Sequence, residues 1–197
     1  MERMMEGIAY PEGKELNEQI FNHYNVTSKN NRAARTAFCY ILIDPSLINN
    51  PNTALLKEFV NAIFYIGKGK RNRPMQHLIE AVKATENSYK KNAKIQKIRK
   101  LWDCGYGVVS LHVFQNITSK EAFTREAAMI DAIGISNLTN EKRGQYYDIG
   151  EKWLLRQKLI YGSYLLSRAL EVLHVEGCRQ LFESNVEHVI TNYAFRL

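Results

Sequence analysis

The order of apolar and polar positions divides this chain into short strands and amphipathic helices. Residues 37–43, Ala-Phe-Cys-Tyr-Ile-Leu-Ile, form an unbroken apolar run stopped by Asp44-Pro45, as expected of a buried strand. Asn49-Asn50-Pro51-Asn52 reads as a turn, and residues 53–62 as a short helix. A second strand, Ile63-Phe64-Tyr65-Ile66, runs directly into Gly67-Lys68-Gly69-Lys70-Arg71-Asn72-Arg73. Pro74 suits the first turn of a helix, and Met75, Leu78, Ile79 and Val82 then recur at helical spacing. A basic helix follows over residues 90–103, with Ile95, Ile98, Leu101 and Trp102 on its buried side, and Gly105 and Gly107 end it. Residues 108–115 alternate as a third strand, with Val109, Leu111 and Val113 set against Ser110, His112 and Phe114. Thr118-Ser119-Lys120-Glu121 has the form of a capping box opening a helix through Ile133, closed by Gly134. Residues 150–190 are rich in Leu and predict helices interrupted near Gly162 and Gly177. Ahead of the first strand lies a polar leader with a weakly helical stretch at 14–24 and a basic linker at 25–35.

The pattern predicts an α/β (α+β) fold: a small mixed or antiparallel three-stranded sheet flanked by helices, with a C-terminal helical extension. Three parts follow from it, a leader and linker at 1–35, a core at 36–149 and the helical extension at 150–197.

Composition narrows the class. With 197 residues, 45% hydrophobic and 24% charged, the chain holds enough apolar material for a sizeable core. No apolar run reaches membrane-spanning length, and no signal-peptide h-region follows Met1, so an intracellular protein of nucleus or cytoplasm is expected. Cys39, Cys104 and Cys178 are odd in number and far apart, which argues against a disulfide framework or a zinc knuckle. The net charge of +7 is concentrated: residues 68–100 hold eleven Lys or Arg against Glu80 and Glu86, and the rest of the chain is slightly acidic. Basicity gathered in this way fits phosphate-backbone binding, or a solvated helix face.

Candidate chemistry begins with Glu126. Ala122, Phe123, Ala127, Met129, Ile130 and Ile133 share one helical stripe, and Glu126 lies near its middle. A carboxylate there is costly unless paired with a basic side chain or bound to a cation such as Mg²⁺. Arg73 and His77 sit one turn apart near a helix N-terminus, where an anion is already favoured. Gly67-Lys68-Gly69-Lys70 has glycines and lysines suited to a phosphate or to a plain tight turn, and it is not a Walker A sequence. HExxH, GxSxG and Rossmann signatures are all missing, which leaves metal-assisted phosphodiester chemistry ahead of acyl transfer or redox.

Across residues 38–147 these pieces resemble the GIY-YIG nuclease family in order and identity. Phe38-Cys39-Tyr40 is similar to the first motif with only the tyrosine kept, and Tyr65-Ile66-Gly67 matches the second. Arg73 and His77 resemble the family's helical arginine and histidine, Glu126 its metal-binding glutamate, and Asn140 its asparagine just beyond. Phe64-Tyr65-Ile66-Gly67-Lys68-Gly69-Lys70-Arg71, Arg125-Glu126-Ala127 and Leu138-Thr139-Asn140 are similar to the nuclease domain of animal endonucleases with ankyrin repeats and a LEM domain. That group cuts branched DNA, whereas ankyrin repeats do not occur in this chain. Two departures stand out: the first motif lacks its Gly and Ile, and residues 44–62 lengthen the segment between Tyr40 and Tyr65.

The resemblance implies a Mg²⁺- or Mn²⁺-dependent endonuclease acting on branched DNA, a repair or recombination activity. Glu126 would hold the metal, Tyr40 or Tyr65 would take the proton of the attacking water, and Arg73 and His77 would bind the phosphate. Asn140 would orient Glu126 or nearby backbone, and Gly67, Lys68, Lys70 and Arg71 would contact substrate, with Arg71 a rival to Arg73. The competing expectations are an inactive nucleic-acid-binding module of the same fold and a protein-interaction role for the Leu-rich tail.

Overall fold

β1 (Ala37–Ile43) lies inside a sheet, with β2 (Ile63–Gly69) on one side and β3 (Val108–Ile117) on the other, both antiparallel to it. A strand paired on both edges and covered on both faces has no solvent side, so its sequence shows a continuous apolar run. The computed structural model describes residues 10–28, 35–89 and 91–194. The three expected strands are present, and a fourth, β4 (Gln180–Leu181), adds to Val108 and Val109 to give the order β2-β1-β3-β4. Two residues carry too little periodicity to be read as a strand from sequence.

Helices cover both faces. Cys39, Ile41 and Ile43 of β1, with Val109, Leu111 and Val113 of β3, pack towards α6 (Ser119–Ile133) and α7 (Leu155–Glu176). α7 in turn holds α1 (Tyr10–Ser28), which extends the weak helix expected at 14–24. The linker read at 25–35 falls largely outside the described residues, as do 1–9 and Lys90. On the opposite face Tyr40 and Leu42 meet α3 (Arg73–Val82), α5 (Ala93–Asp103) and α8 (Glu183–Ala194). Short helices α2 (Leu56–Ala62) and α4 (Glu86–Tyr89) fill the connections.

Three local expectations change. Thr118 Oγ1 caps Glu121 N at 3.2 Å, but the Glu121 carboxylate does not complete a capping box. It accepts from Arg125 Nε and Nη2 at 3.0 and 2.8 Å, deep in the core, while Arg125 Nη1 reaches Asn17 of α1 at 3.0 Å. The pair removes a buried charge that would otherwise be uncompensated. Gly162 does not interrupt α7, because α6 crosses there and a Cβ would collide with the Ala128 carbonyl. Gly177, with φ of 69°, does end the helix. On α3 the buried residues are Pro74, His77, Leu78 and Ala81, so His77 turns inward, away from the exposed Arg73 with which the sequence paired it at an anion site.

Candidate active site

The site is assembled around β2, an edge strand. Its register places Leu42 opposite Tyr65 and Tyr40 opposite Gly67, with the ladder shifting between Leu42 and Ile43. Tyr40 and Tyr65 therefore share a face, their ring centroids 6.1 Å apart. The Tyr40 ring lies directly over Gly67, and a Cβ there would overlap its Cζ and Oη. A Cβ on Gly69 would fall 2.5 Å from the Cβ of Arg73. Both glycines are thus explained by close approach, beyond the turn or phosphate cradle that the sequence allowed.

His77 is 1% exposed and fully engaged. Its Nε2 lies 2.7 Å from Tyr40 Oη, and its Nδ1 lies 2.7 Å from Lys94 Nζ and 3.4 Å from Glu80 Oε2. Burial, then the Lys94 charge, pushes the imidazole pKa down to about 4, so the ring is neutral at neutral pH. With Lys94 as an ammonium, which can only donate, its 2.7 Å contact outranks the longer one to Glu80, so Nδ1 accepts from Lys94 and the ring proton is assigned to Nε2. Nε2–H then donates to Tyr40 Oη, which frees the Tyr40 hydroxyl proton for its other neighbour, Tyr65. Burial raises both phenols, while the hydrogen bond from Tyr40 works to lower Tyr65. Lys94 itself is buried over the Tyr65 ring, 4.9 Å from its centroid, and burial lowers its pKa.

Tyr65 opens onto a cleft of about 310 Å³ shared with Lys94, Glu126, Asn140, Glu141, Lys142 and Arg143. Glu126 is half-buried, and burial raises its pKa to about 7 against the opposing Lys68 charge and a hydrogen bond from the Lys68 backbone N–H. Lys68 Nζ lies over the Phe123 ring at 3.5 Å, which holds it beside that carboxylate. Among the described residues no group of three or more His, Cys, Asp or Glu clusters as a metal cage. The donor set nevertheless fits a hard cation that retains its water: one destabilised carboxylate, a second from Glu141 at the same cleft, and open volume.

The sequence candidates separate into groups. Tyr40, Tyr65 and His77 form one hydrogen-bonded chain, and Arg73, exposed at the N-terminus of α3, acts electrostatically on all three. Glu126 and Tyr65 meet across the cleft. Asn140 lines it too, but its carboxamide is spent on backbone: Nδ2 donates to Ile66 O at 2.7 Å, and Ile66 N donates to Oδ1 at 3.1 Å. Thr139 N and Oγ1 both donate to Phe64 O, at 2.7 and 2.8 Å, so residues 139–140 clasp the free edge of β2. Lys70 is exposed past the end of β2, and Arg71 lines a different cavity. Lys94, Lys142 and Arg143 escaped the sequence reading. Lys94 was findable: with Ile98 and Leu101 it falls at i, i+4 and i+7 on the apolar stripe of its helix.

Residues 37–188 match the family described as LEM-3-like GIY-YIG domain. The chain belongs to the LEM-3-like GIY-YIG domain family. It is 40% identical over 162 residues to mouse ankyrin repeat and LEM domain-containing protein 1, covering 78% of this chain and 30% of the mouse protein. The human protein of that name is 38% identical over 165 residues, 78% of this chain and 27% of its own length. A homologue from Caenorhabditis elegans is 35% identical over 161 residues, 80% of this chain and 23% of the relative. The chain thus spans less than a third of the curated relatives it matches. No solved structure matches. Membership makes this a GIY-YIG-type nuclease domain on a four-stranded antiparallel sheet. Among the described residues no helix is long and apolar enough to cross a membrane.

Proposed function

We propose that this GIY-YIG domain is a divalent-metal-dependent endodeoxyribonuclease that hydrolyses phosphodiesters in branched DNA. The observation that carries the reading is the destabilised carboxylate of Glu126 facing Tyr65 across a cleft lipped by Lys94, Lys142 and Arg143. A pure binding module has no use for an acidic group among those cations. The branched-DNA part rests on the resemblance of 64–71, 125–127 and 138–140 to the animal endonucleases.

Glu126, with Glu141 nearby, would hold Mg²⁺ or Mn²⁺, which supplies Lewis-acid stabilisation of charge developing on the phosphate and leaving oxygens. Tyr65 takes the proton of the attacking water. Its phenol is poor as a base at neutral pH, and the hydrogen bond donated by Tyr40 moves it in the useful direction. Tyr40 cannot pass its own proton to His77, because Nε2 already carries one. His77 therefore orients Tyr40 and does not bind phosphate as an imidazolium. Arg73 meets the scissile phosphate at the N-terminus of α3, where the backbone already favours an anion. Lys68, Lys142 and Arg143 neutralise flanking phosphates.

The test is cleavage of a labelled four-way DNA junction beside linear duplex, with Mg²⁺ or EDTA, for the natural chain and Glu126→Ala. The expected result is metal-dependent cutting of the junction, reduced on the order of 10²-fold or more in the variant while binding persists. Binding without cutting under every metal and substrate would establish the inactive binding module instead.

A further inference from the structure

A second cavity, about 510 Å³, opens on the Tyr40 face of the sheet, one strand away from the catalytic chain. His112 of β3 is the cross-strand partner of Tyr40 and lines this cavity. Phe38 bridges the two, its ring centroid 4.9 Å from that of His112, tilted by 31°, and 6.2 Å from that of Tyr40. Met75 and Leu181 give the cavity an apolar floor, and Arg71 and Arg179 stand at its margin.

Three features mark it as more than a gap in the packing. Ser110 Oγ is buried at its wall with no hydrogen-bond partner among the described residues, a cost that a ligand polar atom would remove. Arg71 holds φ of 52°, a left-handed conformation that a long side chain rarely adopts and that collects at functional sites. Two guanidiniums against the single carboxylate of Glu176 leave the cavity cationic. A volume within the usual ligand range of roughly 300–1,000 Å³, planar side chains, an apolar floor, one unsatisfied hydroxyl and marginal arginines together describe the recognition of a nucleobase with its phosphate.

We propose that this cavity receives an unpaired nucleotide of the DNA substrate. The base lies against His112 and Met75, Ser110 bonds its edge, and Arg71 and Arg179 hold the adjoining phosphates. The inference rests on the nuclease reading above and deepens it. Arg71 is two residues from Arg73, so a strand leaving the cavity passes the N-terminus of α3 towards Tyr65 and Glu126. An unpaired position would thereby set which phosphate reaches the catalytic cleft.

The experiment measures affinity in EDTA, so cleavage plays no part in it. Duplexes carrying one unpaired nucleotide are compared with duplexes carrying an abasic spacer at the same position, for the natural chain, His112→Ala and Ser110→Ala. Removing the base should weaken binding by the natural chain roughly tenfold, within the range expected for one stacked base, and the penalty should shrink in both variants. A 2-aminopurine at the unpaired position should lose fluorescence on binding. Equal affinity for abasic and base-bearing DNA overturns the pocket and leaves the nuclease reading standing. An abasic penalty unchanged in both variants also overturns it. Competition by a free deoxynucleoside monophosphate as strong as by the DNA would overturn the assignment to a strand. No affinity for any DNA would overturn both readings.

Discussion

Lys94 Nζ lies 2.7 Å from His77 Nδ1, and this one contact sets the direction of every hydrogen bond from α5 to the edge strand. A donor at Nδ1 forces the ring proton onto Nε2, which gives Tyr40 a donor and leaves its own proton for Tyr65. Lys94 also lies over the Tyr65 ring at the cleft, so under the proposed mechanism it acts on Tyr65 both directly and through His77 and Tyr40.

Lys94→Met keeps the aliphatic stem and removes the donor. Long-range ¹⁵N–¹H spectra should show His77 as the Nε2–H tautomer in the natural chain and as a mixture in the variant. The imidazole pKa should rise from about 4, because the Lys94 charge helps to depress it, although burial remains. Cleavage should fall on the order of tenfold or more, with a steeper loss on the acid side of its pH profile. An unchanged tautomer in the variant would sink the argument.

Glu126 makes a prediction about stability with a definite sign. Its carboxyl pKa is raised from 4.5 to about 7 in the folded chain, so the folded state holds the proton more tightly than the unfolded one. Below about pH 4 both states are protonated and the group is neutral to stability; as pH rises towards 7 the metal-free protein loses stability, and above 7 the loss is complete. Glu126→Gln should therefore raise the melting temperature of metal-free protein at pH 8, by at most about 3 kcal/mol of stability, and leave it unchanged at pH 4. Added Mg²⁺ should stabilise the natural chain and not the variant. Calorimetry across this range decides it, and a variant less stable than the natural chain at pH 8 would refute the burial penalty.

Gly67→Ala places a methyl group where the Tyr40 phenol lies. Either the ring leaves His77 or the edge strand moves outward. The expected cost is about 1–3 kcal/mol, with cleavage falling more than binding. Thermal melts together with single-turnover cleavage rates separate these effects. Near-natural cleavage would mean that the Tyr40–His77 contact is dispensable.

Much of this was legible in order along the chain. The apolar run of β1 and the alternation of β3 locate the sheet because burial imposes those patterns directly. Glu126 was found by a rule that applies equally to Lys94, a charge on an apolar stripe; Lys94 was hidden by the many solvated lysines around it. The one-turn spacing of Arg73 and His77 does not encode which of them is buried, because the inward side of α3 takes in, besides its apolar stripe, a polar chain that ends on Tyr40. For Asn140 the sequence offers Glu126 or nearby backbone as its partner and does not say which backbone. Its bonds to Ile66 join residues far apart in sequence, and no local spacing encodes them. Lys142 and Arg143 lie in the irregular segment that follows Asn140, where no periodic pattern marks a position.

The clasp of Thr139 and Asn140 on Phe64 and Ile66 has a consequence for the molecule's behaviour in company. An uncovered edge strand is a template for pairing with another chain, and β2 would be such a template if residues 139–140 were lifted away. With the outward-facing backbone groups of Phe64 and Ile66 filled by Thr139 and Asn140, β2 lacks the open ladder that another chain would need there, so residues bordering the cleft also cap the sheet.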